Sequence, residues 1–165
     1  MKKPFVSYET CSVARTLETV GDWWTLLIIK EAFSGTRRFS EFENYLGIAK
    51  NVLSDRLSKL VQAGVLERTP VVGRGNPQDY TLTEKGQDLL AVLLALQQWG
   101  DRWIHGPDKA PTLVIDRSNG QEIPPIQVLS RDGRVLSGKD LVIVPGPGAD
   151  EALIERYGKN SERVS

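Results

Sequence analysis

The sequence predicts an α+β fold, with helices over residues 1–106 and short strands over residues 107–165. Three patterns lead to this prediction. Apolar residues recur at helical spacing in the first part, one hairpin pattern interrupts them, and β-branched residues alternate with polar ones in the second part. Gly106 and Pro107 end the helical pattern. We therefore expect two domains, residues 1–106 and a small β-rich C-terminal extension over residues 107–165.

The composition is that of an ordinary folded protein, with 40% hydrophobic and 25% charged residues. Basic and acidic residues balance at 21 each, so the overall charge does not indicate a polyanionic partner. The single cysteine, Cys11, excludes an intrachain disulfide and a cysteine-based zinc site, and we expect no cofactor. No signal-peptide pattern follows Met1, and the longest apolar run, Leu89–Leu96, is far shorter than the roughly 20 residues that span a bilayer. We expect a cytoplasmic protein without membrane contact.

Two helices are predicted at the start of the chain. The first covers Ser12–Val20 and ends at Gly21. The second runs to Phe33, with Asp22 as its N-cap and Gly35 as its stop signal. Its apolar residues fall on overlapping faces, so we expect it to be largely buried through Trp24, Leu27, Ile28 and one flank of Trp23.

Two further helices follow. The third is short, ends at Leu46 and Gly47, and begins with a capping box of Ser40 and Glu43. The fourth lies within residues 48–64. Its apolar face carries leucines at the i, i+4, i+7 spacing, Leu53, Leu57 and Leu60. Its opposite face is polar, with Asn51, Ser54, Asp55, Ser58 and Gln62.

A β-hairpin and a long helix complete the first part. Strands over residues 65–72 and 78–82 flank a Gly-rich turn at residues 73–77. Thr83 caps a last helix that extends to Trp103. Its segment Leu89–Leu96 is apolar on all sides, which favours cover by a second subunit.

This order of elements is typical of a winged helix-turn-helix, in which the fourth helix enters the major groove of DNA and the hairpin contacts the adjacent backbone or minor groove. Asn51 suits adenine, the serines suit bases or phosphates, and Asp55 can accept from cytosine or orient a neighbouring cation. Arg74 lies between two glycines at the hairpin tip, free to reach DNA. The predicted DNA contacts are Arg37, Arg38, Ser40, Lys50, Asn51, Ser54, Asp55, Arg56, Ser58, Lys59 and Arg74.

Two other functions were weighed. An enzyme is disfavoured because the only histidine, His105, has no evident partner, and no nucleophile elbow or phosphate loop is present. A winged helix that binds another protein instead of DNA stays open, since a polar helix face and a Gly-Arg-Gly turn also occur as plain solvent-exposed features.

The residues in this order resemble the HxlR family of winged-helix regulators from Cys11 to about Trp103. The resemblance rests on segments 11–17, 24–29, 35–42, 53–57, 64–66, 80–86 and 99–100, with Ile48, Leu60 and Arg68. It implies a homodimeric transcription regulator, some of whose relatives respond to oxidants, electrophiles or small ligands. This chain departs from the family pattern at Asp22 and Trp23, where Gly-Lys is usual, and at Ala49, where a serine commonly caps the helix.

The resemblance also implies a dimer built from the N-terminal and long C-terminal helices. Its expected interface residues are Leu17, Leu89, Leu93, Leu96, Trp99 and Trp103. Cys11 matches a position that resembles a redox-sensing thiol in several relatives, and Arg15 lies one helical turn away. The alternative, that Cys11 is a half-buried packing residue, stays open.

The C-terminal extension is predicted to be a small β module. Short strands between Thr112 and Val144 are separated by turns at Ser118-Asn119-Gly120 and Arg131-Asp132-Gly133, and Ala149–Tyr157 is expected to form a terminal helix. The module could pack on the dimer or shape the site of a small-molecule effector. The turns hold no cysteine, so they do not form a zinc ribbon.

Overall fold

A computed structural model describes residues 10–72 and 77–163. Residues 19–126 form one compact unit, and the rest of the described chain forms a second. These units group residues by contact and do not test where folding domains end. The domain boundary expected at residues 106–107 therefore stays a prediction.

The described helices and strands follow the predicted order through the hairpin. Their bounds are α1 Ser12–Val20, α2 Trp23–Phe33, α3 Phe39–Leu46, α4 Lys50–Gln62, β1 Leu66–Pro70, β2 Gln78–Leu82, α5 Glu84–Gln87, α6 Leu90–Gly100 and α7 Glu151–Tyr157. A π-helical turn, Asp101–His105, continues α6, and 3₁₀ turns cover Gly138–Asp140 and Gly158–Arg163.

The core lies where α2, α3, α4 and β1 meet. Its buried apolar residues are Val20, Ile28, Ile29, Phe42, Ile48, Leu53, Leu57, Leu60, Val65 and Leu66. The leucine face predicted for α4 is confirmed, because its three leucines are at most 1% exposed. Burial of each such side chain contributes about 1.5–3 kcal/mol, so this face anchors α4 firmly.

The start of α2 matches the prediction at its cap and at its first tryptophan. Asp22 Oδ1 accepts hydrogen bonds from the backbone N–H groups of Trp24 and Thr25, at 3.1 and 3.3 Å. Trp23 is 61% exposed, and one face of its ring is covered by Trp24, with the two ring centroids 4.0 Å apart. The expected burial is confirmed for Ile28 and for one flank of Trp23.

The capping box predicted for α3 is wrong by two residues. Arg38 is the N-cap residue, and Glu41 Oε2 accepts from the backbone N–H groups of Arg38 and Arg37, at 2.9 and 3.1 Å. Ser40 therefore lies inside the first turn, exposed to solvent. Gly47 ends the helix as predicted, with a φ of 62° that favours glycine.

The hairpin is confirmed. β1 and β2 are antiparallel, with Leu66 opposite Leu82 and Pro70 opposite Gln78. The segment before α3 adds a short third edge, because the Tyr80 backbone N–H donates to the Arg37 carbonyl at 2.9 Å. Arg74 at the hairpin tip lies outside the described residues.

The long final helix is broken. Thr83 does cap its start, since Thr83 Oγ1 accepts from the Gly86 backbone N–H at 3.2 Å. The helix then tightens, because Leu89 donates to the carbonyl three residues back, that of Gly86, and a second helix begins at Leu90. A Cβ at Gly86 would lie 2.2 Å from the Val65 carbonyl oxygen, so a glycine is needed where α5 meets the core.

The predicted strands of the extension are wrong. Between Thr112 and Val144 the described chain forms only two isolated bridges, Ile115 with Glu122 and Leu129 with Val135. Each bridge closes one of the predicted turns, which are confirmed by left-handed glycines at positions 120 and 133. The chain leaves the bridge pattern within a residue or two, so no ladder develops.

The terminal helix is confirmed as α7. Asp150 caps it by accepting from the Leu153 backbone N–H at 2.9 Å. Across the described residues, every helix is too short or too polar to cross a bilayer.

Candidate nucleic-acid interface

The outer face of α4 is polar and exposed, and the opposite face of the helix packs into the core. The leucines of α4 are buried, while Asn51, Ser54 and Ser58 on the other side are exposed. Gly47 and the extended Ala49, with φ −64° and ψ 139°, make the sharp turn between α3 and α4. The structure therefore brings the three predicted base-contacting side chains together on one helix face.

Arg56, on the same helix, is held by ion pairs within the protein. Its guanidinium binds Asp22 in a bidentate pair, with Nε 2.9 Å from Oδ1 and Nη2 3.1 Å from Oδ2, and also donates to Asp55. The Arg56 side chain is 23% exposed. Because Asp22 caps α2, one carboxylate joins the start of α2 to the middle of α4. Arg56, predicted as a phosphate contact, is thus held by carboxylates of the protein.

The pair continues along α4 as a row of alternating charges. Asp55 Oδ2 lies 2.9 Å from Lys59 Nζ as well as beside Arg56. The Arg56 guanidinium holds the pKa of Asp22 below its ordinary value, chiefly by hydrogen bonding. The hydrogen bond from Lys59, with help from Arg56, lowers the pKa of Asp55 in the same way. Asp22 in turn raises the pKa of Arg56. Asp55 therefore stays ionised and orients Lys59.

The remaining cations of the motif differ in whether an ion pair holds them. Lys50 is 76% exposed, with its Nζ 3.8 Å from Glu43 Oε1. Arg37 is exposed and forms no ion pair with another described residue. Arg38 Nε lies 2.7 Å from Asp79 Oδ1, an ion pair without hydrogen-bond alignment that ties the start of α3 to β2. The two neighbouring arginines thus have different roles.

A cleft between α4 and the hairpin adds residues that the sequence analysis missed. It has a volume of about 310 Å³, and its walls include Ser54, Ser58 and Gln62 of α4 with Arg68 and Tyr80 of the hairpin. Arg68 is exposed, lies opposite Tyr80 in the hairpin register and has no ion pair among the described residues. The signal was available, because Arg68 lies two positions after Leu66 on the strand nearest α4.

The predicted dimer residues divide into two groups. Leu17, Leu96, Trp99 and Trp103 are exposed, at 56%, 51%, 59% and 64%. Leu89 and Leu93 are half-buried and pack against the core of their own chain. No residue of α6 is fully buried, although the helix is strongly apolar. The exposed group therefore offers the free apolar surface.

Cys11 precedes α1 and is half-buried. Its carbonyl accepts from the Arg15 backbone N–H at 2.9 Å. The Arg15 guanidinium, one helical turn from Cys11, pairs with Glu18 at 2.5 Å. Because Arg15 is paired with Glu18, its guanidinium is not the partner of the Cys11 thiol.

Comparison with known proteins decides the family. The sequence model of the HxlR-like helix-turn-helix family matches residues 19–108, more than half of the chain. The chain belongs to the HxlR family. This membership also shows that the protein is a helix-turn-helix regulator of transcription and not an enzyme, as expected from the sequence.

Individual relatives agree with the HxlR assignment. The chain is 38% identical over 141 residues to the uncharacterized HTH-type transcriptional regulator Rv3095 of Mycobacterium tuberculosis, covering 86% of this chain and 89% of the relative. Its fold is similar to that of PA1607, a candidate transcription factor, with a TM-score of 0.78, 39% identity, and coverage of 86% and 100%. It is also similar to the reduced form of the redox regulator HypR, with a TM-score of 0.52, 27% identity, and coverage of 55% and 91%.

Proposed function

We propose that this HxlR-family protein binds an inverted-repeat operator in double-stranded DNA as a homodimer. In this proposal α4 lies in the major groove and the hairpin lies on the adjacent backbone or minor groove. The observation that carries it is the exposed polar face of α4, held in place by three buried leucines and by the Asp22–Arg56 ion pair. A bacterial-type regulator of this kind would act in the cytoplasm, where the chromosome lies.

The contacts divide by chemistry. Asn51 and Ser54, near the start of α4, would read base edges, and Ser58 would contact a base or a phosphate. Four exposed cations would contact phosphates, namely Arg37, Lys50, Lys59 and Arg68. The Ser40 hydroxyl at the start of α3 and Arg74 at the hairpin tip would add to these contacts. Arg38, Asp55 and Arg56 would position these groups, because each is held in an ion pair and is less exposed than Lys50 and Lys59.

The dimer is supported by the apolar surface of α6 and the turn after it. Leu96, Trp99 and Trp103 expose more than half of their area, and leaving large apolar side chains in water is costly. A two-fold pair would place two α4 helices about 34–36 Å apart, one turn of DNA, which matches an inverted repeat.

The proposal is tested by selecting genomic fragments that bind the purified protein and measuring affinity by fluorescence anisotropy. Asn51→Ala should cost about 1–3 kcal/mol on the best fragment and much less on random DNA, since a base contact is lost. Arg68→Ala should weaken both complexes by similar factors and reduce the salt slope by about one, since a phosphate contact is lost.

Gln87→Ala is the matched control, because Gln87 is an exposed amide on α5, away from this surface. It should leave both affinities unchanged. Failure to select any fragment, with only salt-insensitive or no binding to DNA, would favour the alternative of a winged helix that binds another protein.

A second candidate is redox control of DNA binding through Cys11, and it is favoured by the similarity to the redox regulator HypR. Oxidation would change DNA affinity, for example through a disulfide between the two subunits. Band-shift titrations with and without a mild oxidant test this, with Cys11→Ser as the control. A wild-type protein whose affinity is indifferent to the oxidant leaves Cys11 with a packing role only.

A further inference from the structure

A cavity of about 770 Å³ opens beside the C-terminal end of α6, lined entirely by residues between 95 and 126. It is separate from the proposed DNA-binding surface, because none of its lining residues belongs to α4 or the hairpin. Cavities of roughly 300–1,000 Å³ suit small organic ligands. The residues that give this one its chemistry are Trp99, Asp101, Arg102, Trp103, Asp108 and Glu122.

The walls are held together by hydrogen bonds of a single side chain. Gln98 Oε1 accepts from the Ile126 backbone N–H at 2.7 Å, and Gln98 Nε2 donates to the Pro124 carbonyl at 3.2 Å. One glutamine of α6 thus fixes the segment that forms the far wall. The near wall turns at Gly106, whose N–H donates to the Asp101 carbonyl at 3.0 Å. These hydrogen bonds connect both walls of the cavity to α6 and the turn after it.

The lining combines aromatic rings with unbalanced negative charge. Trp99 and Trp103 are 59% and 64% exposed. The three carboxylates, Asp101, Asp108 and Glu122, form no side-chain hydrogen bond or ion pair with other described residues. The one lining cation, Arg102, lies over the Trp103 ring with its Cζ 4.7 Å from the centroid. A ring in this lining therefore already carries a cation on its face.

We propose that this cavity binds an aromatic organic cation of drug-like size. Aromatic rings attract cations through their negative faces, and unpaired carboxylates raise the local concentration of positive charge. An anion of the same size would meet the net negative lining and be repelled. Because Trp99 and Trp103 also belong to the proposed dimer surface, occupancy would alter dimer affinity, and this consequence, unlike binding itself, rests on the proposed function.

The test uses two ions of nearly equal shape and opposite charge, tetraphenylphosphonium and tetraphenylborate. Each is titrated calorimetrically into the full chain without DNA, so that a failure of DNA binding leaves the result unaffected. Tetraphenylphosphonium should bind, and tetraphenylborate should bind at least about tenfold more weakly. Equal affinities, tighter binding of the borate, or no binding of the phosphonium below millimolar concentration would overturn the proposal.

Variants locate the binding. Asp101→Asn combined with Glu122→Gln should weaken tetraphenylphosphonium binding about 3- to 10-fold, in the range that two exposed charges provide, and should narrow the difference from the borate. Glu84→Gln combined with Asp88→Asn removes the same charge outside the cavity and should leave the affinity unchanged. Glu122→Gln alone serves if the double variant unfolds, because the Glu122 side chain forms no hydrogen bond or ion pair with a described residue. Equal effects of the two double variants would show general charge attraction instead of a site.

Discussion

At the scale of single residues, the informative feature is Arg56, which the sequence analysis predicts to contact DNA and which pairs with two carboxylates of its own chain. Arg56 lies on α4 among exposed polar residues, so its position indicates a phosphate contact. Its partner, Asp22, is 34 positions earlier, and the pairing arises only when α2 packs against α4. Nothing in local spacing reports such a contact. The sequence shows Asp22 as a departure from the family pattern, but it does not indicate that Asp22 pairs with Arg56.

Substitution of Asp22 separates its two roles. Asp22→Asn keeps a good N-cap and removes the ion pair, so it should lower the free energy of unfolding by about 0.2–1 kcal/mol at neutral pH. Asp22→Ala removes both and should lower it by about 1–2 kcal/mol. Urea unfolding followed by circular dichroism measures both. Asp88→Ala, at an exposed aspartate with no ion pair among the described residues, is the control and should cost less than either.

The pH dependence of this contribution has a definite sign. The pKa of Asp22 is lowered in the folded protein from its ordinary value of 3.8. The ionised carboxylate therefore stabilises the fold fully above about pH 3.8, and the contribution is lost as the pH falls through the lower folded value. The difference in stability between wild type and Asp22→Asn should shrink below pH 3.8. A difference that stays constant down to pH 2 would contradict the ion-pair role.

At the scale of elements, the sequence predicted best where one local signal dominated. α1 and β2 have the predicted bounds, and Asp22, Gly47 and Thr83 act at helix ends as expected. It failed where two signals competed. Ser40 with Glu43 has the pattern of a capping box, but Glu41 accepts from the Arg38 backbone N–H instead, next to the Arg37 carbonyl that pairs with β2. In the extension, alternating residues favour strands, but no neighbouring strand is present to form a ladder.

The missing cap of α4 gives a prediction at this scale. Ala49 has the extended backbone of an N-cap residue, but its side chain cannot accept a hydrogen bond. Ala49→Ser should therefore stabilise the protein by about 0.5–2 kcal/mol without a change of backbone, as measured by urea unfolding. Ala49→Val is the control, since valine also lacks a side-chain acceptor and is as poor an N-cap residue as alanine. A serine variant no more stable than the wild type would show that α4 does not need this cap.

At the scale of the whole molecule, the two proposed activities meet on α6 and the π-helical turn after it. This segment has apolar residues that its own chain leaves half exposed, and its tryptophans line the cavity as well. A single surface that serves both a second subunit and a small cation would couple ligand binding to assembly, and assembly sets the spacing of the two α4 helices. The physical basis is mass action, because a ligand shifts the monomer–dimer equilibrium only as far as its affinities for the two states differ.

The dimer itself is the prediction on which that coupling depends. Light scattering at micromolar concentration should give twice the chain mass of 18.3 kDa. Leu96→Asp should yield monomers, because Leu96 is 51% exposed and a charge there costs the folded monomer little but would be buried in the interface. Leu93→Asp is a poorer test than its sequence position suggests, since Leu93 packs against its own core and the charge would also destabilise the monomer.

Tyr45→Asp places the same charge on an exposed side chain of α3 and should leave the dimer mass unchanged, so it controls for nonspecific effects. Circular dichroism of Leu96→Asp confirms that the monomer is folded. Its affinity for the selected operator should fall far more than its affinity for random DNA, because one α4 helix reads only half of an inverted repeat. A wild-type monomer in light scattering, or a folded Leu96→Asp dimer, would remove α6 from the interface and with it the two-fold spacing.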